Sequence, residues 1–406
     1  MTPADRPSPV KLAVVGAGPV GLALALLAAE ALPEAEVSVF DARPLDQDVA
    51  GDPRTLALSL GSVQLLQRLG AWNAEAAQPI TEVHVSQQPP SLAGPLAGWI
   101  GEPEVRIRAR DEAVPMLGAV LSYGGIVAPL QRAWLDAAGR APQRLHTRFG
   151  QPVQGLKPLE GGVEVDAGIA ERFDLAVVAE GGVFSRLPRE RVGAPRAPLQ
   201  HDYRQNAWVG TVTLAGARPG VAYERFTRHG PAALLPLRNG QASLVWCVAS
   251  EDDPVEALDD RQRLAVLNTM FHPEVGELTA VSPLKRFALG LSAERTLTEG
   301  RTVRIGNAAQ TLHPVAGQGL NLGLRDAFEL VRALARNPDV AQVLRRLEWQ
   351  RGPDRWAMIA ATDFLARSFT WKLPGAGAAR GLGMAALQAL RPVKSALARQ
   401  MMFGSR

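Results

Sequence analysis

The sequence predicts an α/β fold in which a mostly antiparallel sheet is inserted into a parallel-sheet domain and helices follow towards the C-terminus. The chain opens with a strand, a glycine turn, a helix and a second strand, which is the start of a βαβ unit. From about residue 200 to 295, apolar and polar residues alternate, as in 208–214 and 243–248, which indicates antiparallel strands. Helical patterns dominate after about residue 320.

The N-terminal unit is defined by its apolar runs and by the residues that break them. Its buried strand, turn, helix and second strand are expected at residues 11–15, 16–21, 22–32 and 37–40. Residues 12–29 carry no charge and reach the length of a membrane-spanning helix. However, three glycines and Pro19 lie within them. A buried strand, a tight turn and a buried helix therefore account for this stretch better than a membrane span.

The same patterns divide the chain into alternating parts of two domains. The nucleotide-type domain is expected at 1–80, 111–190 and 298–345, and the sheet-rich domain at 81–110 and 191–297. Residues 346–406 are expected to form a C-terminal helical region. The Ala-, Gly- and Pro-rich patches at 89–98 and 374–383 are expected to be loops.

Composition excludes several classes of function. Lys and Arg number 44 against 40 for Asp and Glu, and the resulting net charge of +4 is too small to predict a nucleic-acid partner. Cys247 is the only cysteine, so no internal disulfide can form, which fits a reducing compartment. None of the six histidines stands at metal-ligand spacing. We expect no metal site and, in the absence of a signal-peptide pattern, a cytoplasmic location.

The first glycine turn predicts a dinucleotide site. Residues 16–21, Gly-Ala-Gly-Pro-Val-Gly, fit the G-x-G-x-x-G pattern between a strand and a helix. Such glycines permit a tight turn and let a pyrophosphate approach the backbone at a helix N-terminus. Asp41, twenty residues beyond Gly21 at the end of the next strand, is placed to bind a ribose hydroxyl pair. The pattern alone does not separate FAD from NAD, and a turn without a ligand is the alternative.

Further segments resemble one enzyme family. These are IGNAAQTLHPVAGQGLNLGLRD at 305–326, DLAVVAEGGVFSR at 174–186 and DPRTLALS at 52–59. With the N-terminal turn they resemble the fingerprints of the para-hydroxybenzoate-hydroxylase type of FAD monooxygenase, in its ubiquinone-biosynthesis branch. ERFTRHGP at 224–231 and SLVWC at 243–247 look like the 2-polyprenyl-6-methoxyphenol hydroxylases within that branch. The order and spacing match across nearly the whole chain.

The resemblance implies a fold, an activity and cofactors. The fold would be a Rossmann-like FAD-binding domain of the glutathione-reductase kind, carrying the inserted substrate domain. The activity would be ring hydroxylation of a prenylated phenol with O2, FAD and NAD(P)H as co-substrate. The cofactor would perform the chemistry while the protein orients the ring and excludes water.

The resemblance also implies the site residues. His313 and Pro314 would lie beside the substrate ring, with a packing role as the alternative for His313. The cofactor would contact the two glycine-bearing turns and the residues near them, namely Gly16, Gly18, Pro19, Val20, Gly21, Asp41, Arg54, Glu180, Gly181, Gly306, Asn307, Pro314, Gly317, Gly319, Leu320 and Asn321. Backbone N–H groups at 317–321 would stabilise negative charge on the reduced flavin. Glu180 and Asn307 depart from the family, which usually has Asp at both positions.

Three alternative functions stay open. The first is hydroxylation of another ring position. The second is hydroxylation of a soluble aromatic acid, whose carboxylate would need a cation such as Arg204 or Arg225. The third is a non-catalytic flavoprotein that scaffolds a quinone-synthesis assembly, and Glu180 is its only sequence support.

The C-terminal tail suggests a surface function. No acidic residue follows Asp363, whereas seven basic residues do. Leu390, Val393, Leu397 and Met401 form a rough helical stripe. Such a helix could contact the inner membrane face peripherally or bind partner enzymes. Because Pro392 interrupts the stripe, packing on the protein's own surface is the alternative.

Overall fold

The computed structural model describes residues 9–88, 103–181, 197–368 and 376–404. Strands are numbered along the chain as β1 (Lys11–Val15), β2 (Glu36–Asp41), β3 (Thr55–Ser59), β4 (Gln78–Ile80), β5 (Glu82–Gln87), β6 (Glu104–Arg108), β7 (Gly118–Ser122), β8 (Leu145–Phe149), β9 (Gly155–Leu159), β10 (Gly162–Asp166), β11 (Ala170–Phe173), β12 (Leu175–Val178), β13 (Leu199–Ala215), β14 (Val221–Thr227), β15 (Gly230–Pro236), β16 (Gln241–Ala249), β17 (Glu277–Val281), β18 (Lys285–Ala293), β19 (Thr298–Glu299), β20 (Thr302–Arg304) and β21 (Gln310–Thr311). The helices are α1 (Pro19–Ala31), α2 (Leu60–Arg68), α3 (Tyr123–Arg140), α4 (Asp260–Met270), α5 (Gly319–Arg336), α6 (Val340–Ser368), α7 (Ala376–Ala389) and α8 (Arg391–Phe403).

The first domain is built on a six-stranded sheet in the order β19-β20-β12-β1-β2-β8. All neighbours pair in parallel except β19 and β20. Strand β1 is apolar because helices cover its face. Leu12 and Leu175 of the sheet pack with Leu24 of α1, Trp134 of α3 and Leu330 of α5 in one fully buried core. The predicted βαβ opening is confirmed, and α1 begins at Pro19 rather than Leu22, because proline suits the first helical turn.

The second domain is a nine-stranded sheet in the order β21-β18-β13-β16-β15-β14-β5-β6, with β17 paired to β13. Its pairs are antiparallel except β14 and β5. One face packs on α4, where Trp208, Tyr223 and Leu267 are buried together. The other face, here called the inner face, turns towards the first domain. The predicted mostly antiparallel inserted sheet is confirmed.

Contacts between the two domains fix the inner face against the first domain. Thr55 and Ser243 share a hydrogen bond of 2.5 Å between their hydroxyl oxygens. Phe226 of β14 packs on Val315, just before α5. The nine-stranded sheet therefore lies against the segment 313–321, which contains several of the predicted cofactor contacts.

The C-terminal helices attach to the first domain through buried charges and apolar packing. Arg351 of α6 donates to Asp326 of α5 at 2.8 Å and to Asp354 at 2.9 Å, and all three side chains are buried. Ala398 and Met402 of α8 are buried against Leu60 of α2 and strand β6. None of the described helices combines the length and the apolar character that crossing a bilayer requires.

Two details of the predicted organisation change. The loop expected at 374–383 is wrong from residue 376 onwards, because α7 begins there. Alanines at 376, 378 and 379 favour a helix enough to offset the glycines among them. The predicted boundary between 345 and 346 lies inside the continuous helix α6. The loop expected at 89–98 and residues 182–186 of the second fingerprint lie outside the described residues.

Candidate active site

The first glycine turn leaves no room for side chains at two of its three glycines. Gly16 has φ +105°, and a methyl group added there would lie 2.9 Å from the backbone nitrogen of Glu180. A methyl at Gly21 would lie 1.9 Å from the carbonyl oxygen of Gly16. At Gly18 the nearest atom would be Tyr123 Oη at 3.5 Å. Packing therefore requires Gly16 and Gly21, while Gly18 leaves open space of the kind a pyrophosphate needs.

Two helix N-termini lie side by side at this turn. Helices α1 and α5 both begin without a side-chain cap and without an acid in the first turn. They approach closely because Val20 packs against two glycines: added methyl groups would lie 3.3 Å from its side chain at Gly306 and 2.8 Å at Gly323. Helix N-termini attract anions through exposed N–H groups and the helix dipole. This pair fits a ligand with a pyrophosphate and a ring that gains negative charge, as FAD does.

Asp41 is anchored at the beginning of the first turn. Its Oδ2 accepts from the backbone N–H of Ala17 at 2.5 Å, and its Oδ1 accepts from that of Arg43 at 2.7 Å. A carboxylate has further lone pairs, so ribose hydroxyls can still donate to it. Burial and then the charge of Asp41 raise the pKa of Glu180. The proximity of these two carboxyls was not evident from the sequence, in which they are 139 residues apart.

Arg54 lies near the N-termini of α1 and α3. Its guanidinium carbon is 4.3 Å from the centroid of the Tyr123 ring, and its Nη2 donates to Asp52 at 2.7 Å. That hydrogen bond lowers the pKa of Asp52. Since Tyr123 Oη also borders Gly18, Arg54 lies near the open side of the turn, as a pyrophosphate contact would. Tyr123 was not predicted as a site residue. The one feature of the sequence that could have indicated it is its position directly after strand β7.

The second glycine segment is held by the side chain of Asn321. Asn321 is buried; its Oδ1 accepts from Ser59 N at 2.8 Å and from Ser62 Oγ at 2.7 Å. Its Nδ2 donates to the carbonyl oxygens of Ala57 and Gly317, both at 3.0 Å. Only a backbone role was predicted for Asn321. The amide side chain also fastens the start of α5 to strand β3 and helix α2.

Asn307 lies between two other predicted cofactor residues. Methyl groups added at Gly181 and Gly319 would approach its amide group to 3.6 Å and 3.8 Å. Asn307 itself is exposed. The structure thus brings Gly181, Asn307 and Gly319 together beside the start of α5.

His313 is buried in a hydrogen-bonded position. Its Nδ1 accepts from the backbone N–H of Val315 at 3.2 Å, so the proton resides on Nε2, which donates to Gln205 Oε1 at 3.1 Å. Burial lowers the pKa of His313 to about 4. The ring is therefore neutral at physiological pH, which favours a positioning role over proton exchange. Pro314, by contrast, is exposed beside it.

Neither arginine suggested for a carboxylate substrate faces this site. Arg204 is on the outer surface and donates to Glu251 at 3.2 Å. Arg225 is 5% exposed and donates to the carbonyl of Met270 at 3.1 Å, on the α4 side of the sheet. Neither arginine is therefore placed to bind the carboxylate of a soluble aromatic acid, as that alternative function requires.

Comparisons with known proteins agree with this geometry. Residues 176–349 match the family described as FAD binding domain. The chain is 31% identical over 401 residues to ubiquinone hydroxylase UbiL of Rhodospirillum rubrum. The aligned region covers 96% of this chain and 88% of that protein. The chain belongs to the FAD-dependent aromatic hydroxylases of the ubiquinone-biosynthesis branch. The family, the enzyme class and the FAD cofactor predicted from the sequence are confirmed.

Two further relatives extend the likeness. This hydroxylase is 29% identical to 3-demethoxyubiquinol 3-hydroxylase of Escherichia coli strain K12, across 94% of this chain and 95% of that protein. Its fold is similar to that of HpxO from Klebsiella pneumoniae, solved with FAD and uric acid, with a TM-score of 0.67, 17% identity and 97% of each chain covered. The fold class expected from the sequence is confirmed.

Proposed function

We propose that this hydroxylase oxygenates the ring of a polyprenylated phenol, using NAD(P)H and O2. The observation that carries the proposal is the pair of uncapped helix N-termini, α1 and α5, placed beside the inner face of the large sheet. When bound, FAD supplies the electron transfer from NAD(P)H and the activation of O2 that the side chains of this protein cannot perform.

The cofactor would lie along the two glycine turns. Gly18 with Val20 and Gly21 at the start of α1 would hold the pyrophosphate, and Asp41 the ribose. Arg54 would add a charge-assisted contact. The N–H groups at 317–321, kept in position by Asn321, would face the flavin ring and stabilise charge there.

The substrate ring would lie between Pro314 and the inner face of the sheet. That face is apolar at Val85, Ala207, Ala233 and Val245, whose alternation with residues packed on α4 places them there. Phe287, paired with Ala207, remains 49% exposed. An exposed aromatic side chain at this position suits an apolar chain such as a prenyl tail.

A reconstitution assay tests the proposal. The purified protein should bind FAD, and a 2-polyprenylphenol should stimulate NAD(P)H oxidation with a hydroxylated product detected by mass spectrometry. The matched control is the corresponding prenylbenzene, which lacks the activating hydroxyl. A protein that cannot be loaded with FAD, or that oxidises NAD(P)H without oxygenating any phenol, would contradict the proposal. The position of the new hydroxyl decides between the two ring-position alternatives.

The scaffold alternative is tested through Glu180. The variant Glu180→Asp restores the usual family residue. If the wild-type protein turns over phenol and the variant binds FAD equally well, the only sequence support for a non-catalytic scaffold is removed.

We further propose that the C-terminal helices dock peripherally on an anionic membrane. Leu382, Leu390, Val393 and Leu397 are 62%, 53%, 52% and 40% exposed. Ala398 and Met402 on the other side of α8 are buried, so one side of the helix packs on the protein and the other stays apolar and open. Arg391 and Lys394 add positive charge to the start of α8, while Arg399 pairs with the buried carboxylate of Glu112 at 3.5 Å. An exposed apolar side accompanied by cations is the pattern of an interfacial helix.

Vesicle sedimentation tests the docking proposal. Wild-type protein should sediment with vesicles containing phosphatidylglycerol and less with pure phosphatidylcholine. The double variant Leu390→Glu, Val393→Glu should lose this binding while it still hydroxylates a short-chain phenol in solution. Ile169→Glu, which alters an exposed apolar residue on another part of the surface, is the matched control. Equal sedimentation of the double variant and wild type would refute the proposal.

A further inference from the structure

Glu224 carries a carboxyl group on the inner face of the nine-stranded sheet. Along β14, Tyr223 packs with the α4 core and Arg225 donates to the Met270 carbonyl, so both point to the outer face. Because side chains alternate along a strand, Ala222, Glu224 and Phe226 point to the inner face. Ala222 packs with Ile80 and Val120 of the first domain, and Phe226 packs with Val315. Glu224 thus lies between two residues that touch the first domain.

The surroundings of Glu224 are apolar. Its neighbours in register are Val85 on β5 and Ala233 on β15, which in turn pairs with Val245. Burial, and after it the charge of Glu224, raises the pKa of the Cys247 thiol, so the thiol and the carboxyl lie close together. Among the described residues, no hydrogen bond or ion pair to the Glu224 carboxyl is found. Burial alone raises its pKa to about 8.

Glu224 as a residue is nevertheless only half-buried. Its place on the inner face between Ala222 and Phe226 directs the accessible part of the side chain towards the first domain. A carboxyl in an apolar setting without a partner destabilises the fold, so a functional role is the usual reason that it is present. In its neutral form it offers one O–H donor and a carbonyl acceptor.

We propose that Glu224 anchors a ring hydroxyl of the substrate and thereby decides which ring carbon faces the flavin. This inference rests on the proposed function, because it takes the ligand to be a hydroxylated aromatic ring. The register neighbours of Glu224 on this face are hydrocarbon side chains, with the Cys247 thiol nearby, so a ring hydroxyl at this point of the face would find its hydrogen-bond partner at Glu224. A site built to bind a hydroxyl discriminates strongly against the analogue that lacks it.

A pair of ligands isolates this contact. The probes are 2-prenylphenol and its methyl ether, whose binding to the FAD-loaded protein is followed by the change in flavin absorbance. Wild type should bind the phenol at least about tenfold more tightly than the ether, the loss expected for one hydrogen bond to a buried group. In Glu224→Leu the ratio of the two dissociation constants should fall to about one. Glu224→Gln, whose amide also donates and accepts, should keep part of the preference.

Product analysis gives a second readout. Under turnover, Glu224→Leu should spread hydroxylation over more than one ring position and release more hydrogen peroxide per NAD(P)H oxidised. Glu277→Gln, which changes an exposed carboxyl in the same domain, is the matched control and should behave as wild type. If Glu224→Leu does not retain FAD, the binding ratio of Glu224→Gln decides, since this variant preserves the shape of the side chain.

The outcomes separate this inference from the proposed function. A wild-type ratio near one, or a ratio unchanged in Glu224→Leu, overturns the anchor even when the enzyme oxygenates prenylphenol. If wild type prefers the phenol through Glu224 but oxygenates no prenylated phenol, the proposed function fails and the anchor stands for another hydroxylated ring.

Discussion

The two glycine-bearing turns beside helices α1 and α5 serve one ligand but are built differently. In the first turn, backbone atoms of Gly16 and Glu180 leave no space for a side chain at Gly21 or Gly16. In the second, the side chain of Asn321 ties the helix start to residues 57–62 through three hydrogen bonds and to Gly317 through a fourth. The first turn depends on the absence of side chains, and the second depends on one that is present. Substitutions should therefore damage the two turns through different physical causes.

The largest effect is expected at Gly21. In Gly21→Ala the new methyl would lie 1.9 Å from the Gly16 carbonyl oxygen, so strand and helix must separate. We expect a loss of at least about 3 kcal/mol in unfolding free energy, at the upper end for overpacking, despite the helix propensity gained. Thermal unfolding and FAD content measure it. Gly18→Ala is the matched control, because the space there is open: it should stay folded and lose FAD affinity. Equal stability of the two variants would show that packing does not require Gly21.

The next effect is expected at Asn321. Asn321→Ala removes four hydrogen bonds and leaves the buried Ser59 N–H without its acceptor. We expect about 3 kcal/mol of destabilisation, since a buried unsatisfied donor costs its full desolvation penalty, together with weaker FAD binding. Denaturant titration and flavin titration measure the two. Asn307→Ala, at an exposed amide in the same segment, should leave unfolding free energy nearly unchanged. A stable Asn321→Ala with normal FAD affinity would refute the fastening role.

His313 should make the second turn sensitive to acid. Its folded pKa of about 4 lies below the value of 6.5 for a free histidine, so the unfolded chain binds a proton first as pH falls. Stability should therefore fall between pH 6.5 and 4, by up to about 3 kcal/mol from this residue. His313→Gln should flatten that part of the stability curve, measured by denaturant titration at several pH values. An identical slope in wild type and variant would mean that His313 titrates normally.

Arg54 should give the smallest effect. Its guanidinium is held by Asp52 and Tyr123 but is largely exposed, so solvent and salt screen its contact with the pyrophosphate. Arg54→Gln should weaken FAD binding by about 1 kcal/mol, roughly fivefold, and less at high salt. Fluorescence titration at two ionic strengths measures this. A change of a hundredfold or more, independent of salt, would indicate a buried, essential contact instead.

The sequence predicted both turns but not every residue that builds them. The fold and both turns were expected, because strand–turn–helix spacing is local. That Gly16, Asp41, Gly181 and Gly306 serve one site was implied only by the family resemblance and stays a prediction. The helix over 376–389 was not, since glycines there were given more weight than alanines. The roles of Tyr123, Gln205 and the Asn321 side chain were not foreseen, because each contacts residues far away along the chain.

The sequence by itself determined the strand–turn–helix order, the dinucleotide turn and, through four ordered segments, the FAD hydroxylase family. Each of these segments depends on residues within about thirty positions of one another, where spacing alone sets geometry. Only the tertiary structure decided that His313 is neutral, that Glu180 lies beside Asp41, and that the Glu224 carboxyl on the inner face has no hydrogen-bond partner among the residues that the structure describes. Burial and charge at those sites come from strands and helices more than a hundred residues apart in the chain, and no local pattern encodes which of them will meet.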